Sequence, residues 1–144
     1  LSAPVGSVLA GDQNFIKRAR KVRKMLGGGM RQAGVIAAAG IVALDTMVDR
    51  LAEDHSNARY IAEELIKIDG LEIDLNTVQT NMIYVDISAL NITADRLELL
   101  LKEQGLLVSP VSPYQIRLVT NRHINSNEAH QAVIIIKEIV EKVR

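Results

Sequence analysis

Arg117 stands alone among apolar neighbours in the stretch Ile116-Arg117-Leu118-Val119. The period of two in a strand puts it on the face opposite Ile116 and Leu118. There the guanidinium either faces solvent or acts as a two-pronged fork for a carboxylate, a shape its planar donors match. A second set of candidates surrounds Gly27-Gly28-Gly29, with Lys24 before the glycines and Arg31 after them. Three successive glycines cost backbone entropy and mark a sharp bend or a close approach. Arg31 is expected in the first turn of the helix that follows, where the partial positive charge disfavours a cation. Either this is a plain helix–Gly–helix corner with a solvated arginine, or a phosphate or carboxylate held at the helix start draws Arg31 there. His55 lies beside Glu53 and Asp54, but no second histidine sits at ligand spacing. No metal site is expected.

With 144 residues, nearly half of them apolar, the chain can bury a full core. It has no cysteine, which leaves neither a disulfide framework nor a thiolate metal site and suits a reducing, cytoplasmic setting. The apolar run over residues 33–44 is too short and too rich in Ala and Gly to span a bilayer, and no signal peptide is recognisable. The formal net charge is zero, yet residues 1–40 carry seven Lys and Arg against the single acid Asp12. The remaining residues carry ten against sixteen acids, so the two regions are expected to have different neighbours. The opening Leu-Ser-Ala-Pro-Val-Gly-Ser reads as mid-sequence, and Leu1 is not expected to start the gene product.

The elements that must position the candidates follow from periodicity. Residues 4–11 predict a short buried strand. Asp12 or Asn14 caps a helix with Phe15, Ile16, Ala19, Val22 and Leu26 on its apolar side. Six of the eight positions 17–24 are Lys or Arg, but no aromatic or Gly-rich binding element accompanies them. A solvated face, or pairing with acids across a subunit boundary, accounts for these cations better than nucleic acid does. Residues 30–50 predict a long helix whose small side chains allow close backbone approach, and residues 51–68 a second, amphipathic helix.

Beyond Gly70 the pattern changes to strands over 71–75, 82–87, 106–108 and 115–119. Thr93 caps a helix that Gly105 ends, and Asn125 with Glu128 forms a capping box ahead of the last helix. Ala129, Ala132, Val133, Ile136, Val140 and Val143 are expected on the inward face of that helix. The order predicts a small α+β sandwich over residues 50–144, antiparallel in most layouts. Residues 1–49 read as the edge of a larger body.

Taken together, Leu-Ser-Ala-Pro-Val-Gly-Ser, residues 23–34, Arg-Leu-Ala-Glu-Asp-His-Ser-Asn-Ala (50–58), Thr-Asn-Met (80–82) and Arg-Leu-Val-Thr (117–120) closely resemble the low-specificity L-threonine aldolases. These are pyridoxal-phosphate enzymes of the aspartate-aminotransferase-like fold. The resemblance runs the length of the chain, and family members are much longer. It therefore implies the C-terminal part of an α/β, fold-type-I pyridoxal-phosphate enzyme. Residues 1–49 would be the helical edge of its large cofactor-binding domain and residues 50–144 its small domain.

In the family the lysine that carries the cofactor lies just before the position of Leu1, so this segment alone is expected to be inactive. The resemblance makes Arg117 the clamp on the substrate α-carboxylate and sets Lys24 and Arg31 at or near the active site, facing one subunit's cofactor or another's. It implies pyridoxal 5'-phosphate as cofactor and cleavage of L-threonine or L-allo-threonine to glycine and acetaldehyde. It also implies a homo-oligomer, dimer or tetramer, with neither nucleic acid nor membrane as partner. One departure is Asn121, where the family often has histidine. Alternatives are another fold-type-I lyase or transaminase, or a non-catalytic module in which Arg117 grips a small anion and the Ala-rich helix forms an assembly surface.

Overall fold

A computed structural model describes all residues, Leu1–Arg144, and they divide into two compact units, Leu1–Asp49 and Arg50–Arg144. In the first unit α1 spans Gln13–Met25. The Asp12 carboxylate caps it by accepting from the Phe15 N–H at 2.8 Å. The glycine corner then closes the helix. Gly27 adopts the left-handed region (φ 80°), Gly28 N–H returns to the Arg23 carbonyl at 2.8 Å and Gly27 N–H to that of Lys24 at 3.2 Å. This is the paired bonding of a Schellman ending, and it gives the first two glycines a structural reason. The next helix, α2, covers Gly34–Thr46 with no side-chain cap.

Two expectations fail in this unit. Residues 4–11 form no strand and lie exposed, since an apolar run becomes a strand only with a partner and the unit contains no other strand. The helix expected over 30–50 is shorter at both ends. Gln32 takes a left-handed backbone (φ 49°), so Arg31 lies in the turn before α2 and not in its first turn. Only Ala43 of α2 is buried.

The second unit is two-layered. Its elements run α3 (Leu51–Leu65), β1 (Met82–Asp86), α4 (Ala94–Glu103), β2 (Ser109–Ser112), β3 (Gln115–Val119) and α5 (Ser126–Val143). The three strands are ordered β1-β3-β2 and all pairings are antiparallel. The inner sheet face offers Ile83, Val85, Ile116 and Leu118. These meet Ala58, Ile61 and Leu65 of α3, Leu97 and Leu101 of α4, and Ala129, Ile136, Ile139 and Val140 of α5 in one core. Thr93 caps α4, and Asn125 with Glu128 closes both halves of a capping box on α5. No helix of the chain is long and apolar enough to cross a membrane.

Here too the local pattern misplaces some elements. Residues 71–75 yield only a single bridge between Glu72 and Asp86, because Asp74 caps a 3-10 turn over Leu75–Thr77 that takes the chain out of the sheet. The strand expected at 106–108 begins at Ser109. Leu106 N–H is spent on the Leu101 carbonyl (3.0 Å) in the Schellman ending of α4, with Gly105 at φ 81°. α3 ends at Leu65, three residues early, and Ile139 faces inward where Val133 and Val143 are only half-buried. Leu65 is fully buried. Leu65→Ala is therefore expected to cost about 2–5 kcal/mol in urea unfolding, whereas Leu99→Ala, on the exposed side of α4, should cost well under 1 kcal/mol.

Candidate functional site

Arg117 occupies the middle of the central strand, on the open face of the sheet. Ile116 and Leu118 point into the core, so the backbone of β3 cannot turn Arg117 inward without expelling them. Directly opposite it stand Tyr84 on β1 and Ser109 on β2, on the same face. Its side chain is half-buried, and the guanidinium Nε is shut off from solvent without any hydrogen-bond acceptor. No carboxylate forms an ion pair with it. Buried donors are nearly always satisfied, so this orphaned guanidinium N–H is an exception that makes Arg117 a candidate contact for an anion.

Asp86, an acid on the same face, is committed elsewhere. Ser88 hydrogen bonds hold its carboxyl below the ordinary carboxylate range; the side chain contributes most, followed by the backbone N–H at 2.8 Å from Oδ1. A depressed folded value means that stabilisation is present above the unfolded pKa and is lost as pH falls through the folded one. Carboxyl carbon NMR should put the Asp86 midpoint below 3.8, and Ser88→Ala should move it upward.

Beyond Val119 the chain enters a buried polar junction. Thr120 is 2% exposed. Its hydroxyl donates to the Asp54 carbonyl on α3 at 2.6 Å, and its N–H donates to the Asn81 carbonyl at 3.0 Å. Asn81 Nδ2 donates back to the Thr120 carbonyl at 2.7 Å, and Asn57 Nδ2 to the carbonyl of Ile124 at 2.9 Å. The Asp54 carboxylate is buried in the first turn of α3 and receives both prongs of Arg50, at 2.8 and 3.0 Å. That bonding with Asp54, more than the weaker contact with Glu53, raises the Arg50 pKa. Asn121 uses its Oδ1 to accept from the His123 N–H at 3.0 Å. His55 is half-buried and belongs to no metal-ligand cluster.

The stretches 50–58, 80–82 and 117–120 thus converge in space, with Arg117 three residues from the junction. Sequence reading found Arg117 but missed Asp54, Asn57, Asn81 and Thr120 as a set. The available signal was the pair Asp54 and Asn57, polar residues three apart along the inward side of an amphipathic helix.

Lys24 and Arg31 lie in the other unit. Both are exposed and free of ion pairs. The Lys24 side chain runs over the glycine corner, its Nζ 3.8 Å from where a Gly29 Cβ would stand. A Cβ at Gly28 would come within 2.8 Å of Arg23 Cγ and 3.2 Å of the Arg23 carbonyl oxygen. The corner therefore excludes side chains at Gly28 and leaves Lys24 uncovered.

The sequence profile of the family described as "Beta-eliminating lyase" matches residues 1–88. The chain belongs to that family. Low-specificity L-threonine aldolase 1 of Arabidopsis thaliana is 42% identical over 131 residues, 90% of this chain and 37% of the relative. Low specificity L-threonine aldolase of Escherichia coli K12 is 43% identical over 128 residues, 89% of this chain and 36% of the relative. The chain thus spans little more than a third of the curated relatives it matches. Among solved structures, a candidate L-allo-threonine aldolase from Listeria monocytogenes superposes with a TM-score of 0.58 at 15% identity, over 94% of this chain and 39% of that one. The fold is that of fold-type-I pyridoxal-phosphate enzymes, and in this beta-eliminating lyase family member Arg50–Arg144 form a three-stranded antiparallel sheet under three helices.

Proposed function

We propose that these residues are the C-terminal part of a pyridoxal-phosphate aldolase that cleaves L-threonine or L-allo-threonine to glycine and acetaldehyde, with Arg117 binding the substrate α-carboxylate. The observation that carries this reading is the half-buried Arg117 guanidinium, whose Nε has no acceptor within the chain. The names of the relatives in Arabidopsis and Escherichia coli support the reaction class.

The residues suit a substrate and cofactor that both bear anionic groups. Arg117 presents a fork to a carboxylate. Lys24 and Arg31, uncovered and unpaired, are suited to attract a phosphate or a second anion. When bound, pyridoxal phosphate supplies an electron sink for the pair released as the Cα–Cβ bond breaks. Arg117 would contribute orientation. Two parallel N–H···O bonds fix where the carboxylate sits, and with it the rotation about the substrate's N–Cα bond that decides which Cα bond is aligned for cleavage. Tyr84 and Ser109, opposite Arg117 in the neighbouring strands, line the approach.

Arg117→Ala in the whole protein should lose about 2–5 kcal/mol of transition-state binding, read as a fall in kcat/KM for L-threonine. Arg117→Lys should recover little, because a point charge does not replace the fork. An unchanged kcat/KM would sink the assignment, and retention of a small-anion site without lyase activity would favour a non-catalytic module.

The reading includes a cytoplasmic setting, supported by the cysteine-free composition, and a homo-oligomer of two or four chains. Support for assembly comes from α2, which is apolar all round yet exposes Val35, Ile41, Val42 and Leu44. Sedimentation of the whole protein should show more than one chain per particle at micromolar concentration. A clean monomer would rule the oligomer out.

A further inference from the structure

We infer that Thr120 is a positioning residue for Arg117, holding the end of β3 at the depth and register where the guanidinium can meet a carboxylate. This rests on the assignment of Arg117 given above. Three features of the structure carry it. First, all the polar groups of Thr120 are used within the chain: hydroxyl to Asp54, N–H and carbonyl to Asn81. A residue 2% exposed and bonded through all three of its polar groups is held more firmly than one held by packing alone. Second, the bonds run to two different elements. Asn81 directly precedes β1, and its reciprocal pair with Thr120 extends the β1–β3 ladder one step past Met82 and Val119. Asp54 lies on α3, so Thr120 ties the sheet to the helix layer at the height where β3 ends.

Third, Arg117 itself has no other fixing point. Its Nε has no acceptor and its guanidinium forms no ion pair. Its position is therefore inherited from the backbone of β3. That backbone is fixed on the inner side by Ile116 and Leu118 and at its far end by Thr120. Apolar side chains tolerate sliding and re-packing; a buried hydroxyl 2.6 Å from a helix carbonyl does not. A second tie behind it, Asn57 to the Ile124 carbonyl, keeps the following loop against α3 and prevents the end of β3 from lifting.

The test separates this inference from the function it rests on. In the whole protein, glycine carries the same carboxylate without a bond to cleave, so its dissociation constant by calorimetry reads the clamp directly. Arg117→Ala should abolish measurable glycine binding. Thr120→Val keeps the shape and removes the hydroxyl; it should weaken glycine binding and raise KM for L-threonine by about tenfold, with kcat changed far less. Thr120→Ser, which restores the hydroxyl, should return both to within about twofold of the parent. Asn81→Ala, at the half-buried side of the same junction, should give the same split at smaller size, and it serves if Thr120→Val does not accumulate as folded protein.

If Arg117→Ala binds glycine normally, the carboxylate assignment fails and takes the positioning role with it. If Arg117→Ala fails to bind while Thr120→Val and Asn81→Ala bind as the parent does, the positioning role alone is wrong. Equal loss in the Val and Ser variants would also overturn it, because Ser keeps the hydroxyl and the loss could then not be traced to the hydroxyl bond.

Discussion

The hydroxyl of Thr120, donated to the carbonyl of Asp54, is the constraint on which the second unit's working face depends. Burying a threonine costs free energy unless its polar groups are bonded, and here they are met from two directions by groups far away in sequence. The bonds can all form only when β3 lies beside β1 in the observed register and α3 crosses at the observed height. The junction therefore discriminates among arrangements that an apolar core of Ile, Leu and Val would accept almost equally. Behind it, the Asp54 carboxylate is neutralised by Arg50 at the start of α3, where the helix dipole also favours a negative charge.

Alternation along β3 then separates two jobs on adjacent residues. Ile116 and Leu118 face the core, and Arg117 between them is carried to the open side. Leaving a guanidinium N–H out of water without an acceptor is unfavourable for folding alone, and an ordinary structural arginine would have found a carboxylate. Asp86, on the same face, is instead satisfied by Ser88, and Glu72 beside it forms no ion pair with Arg117. The sheet therefore presents a cation that no acid of this chain pairs with. The glycine corner of the first unit follows a similar logic at smaller scale: Gly27 and Gly28 close α1, while Lys24 and Arg31 remain without acids to bind.

What the sequence made legible was whatever is written locally. The caps at Asp12, Thr93 and Asn125, the stop at Gly105, the strands containing Ile83 and Ile116, and the face taken by Arg117 all follow from residues within a turn or two. The failures share a cause. Residues 4–11 and 71–75 have strand-like patterns, but a strand is a pairing, and the partner's presence is not a local property. Leu106 looks like the start of a strand until its N–H is claimed by the end of α4. The Thr120 junction was invisible for the same reason: Asp54 and Asn81 lie 66 and 39 residues away along the chain. Resemblance to the threonine aldolases pointed at those same stretches but gave a role only to Arg117 among their residues. The geometry supplies a physical reason for three of them.

The most direct test of the account is a structure of the whole protein with glycine bound. The account predicts a carboxylate oxygen about 2.7–3.1 Å from the Arg117 Nε, a second oxygen on the neighbouring guanidinium nitrogen, and an unbroken Thr120–Asp54 bond. A carboxylate held by other residues, with Arg117 turned to solvent or paired with an acid of the protein, would contradict it.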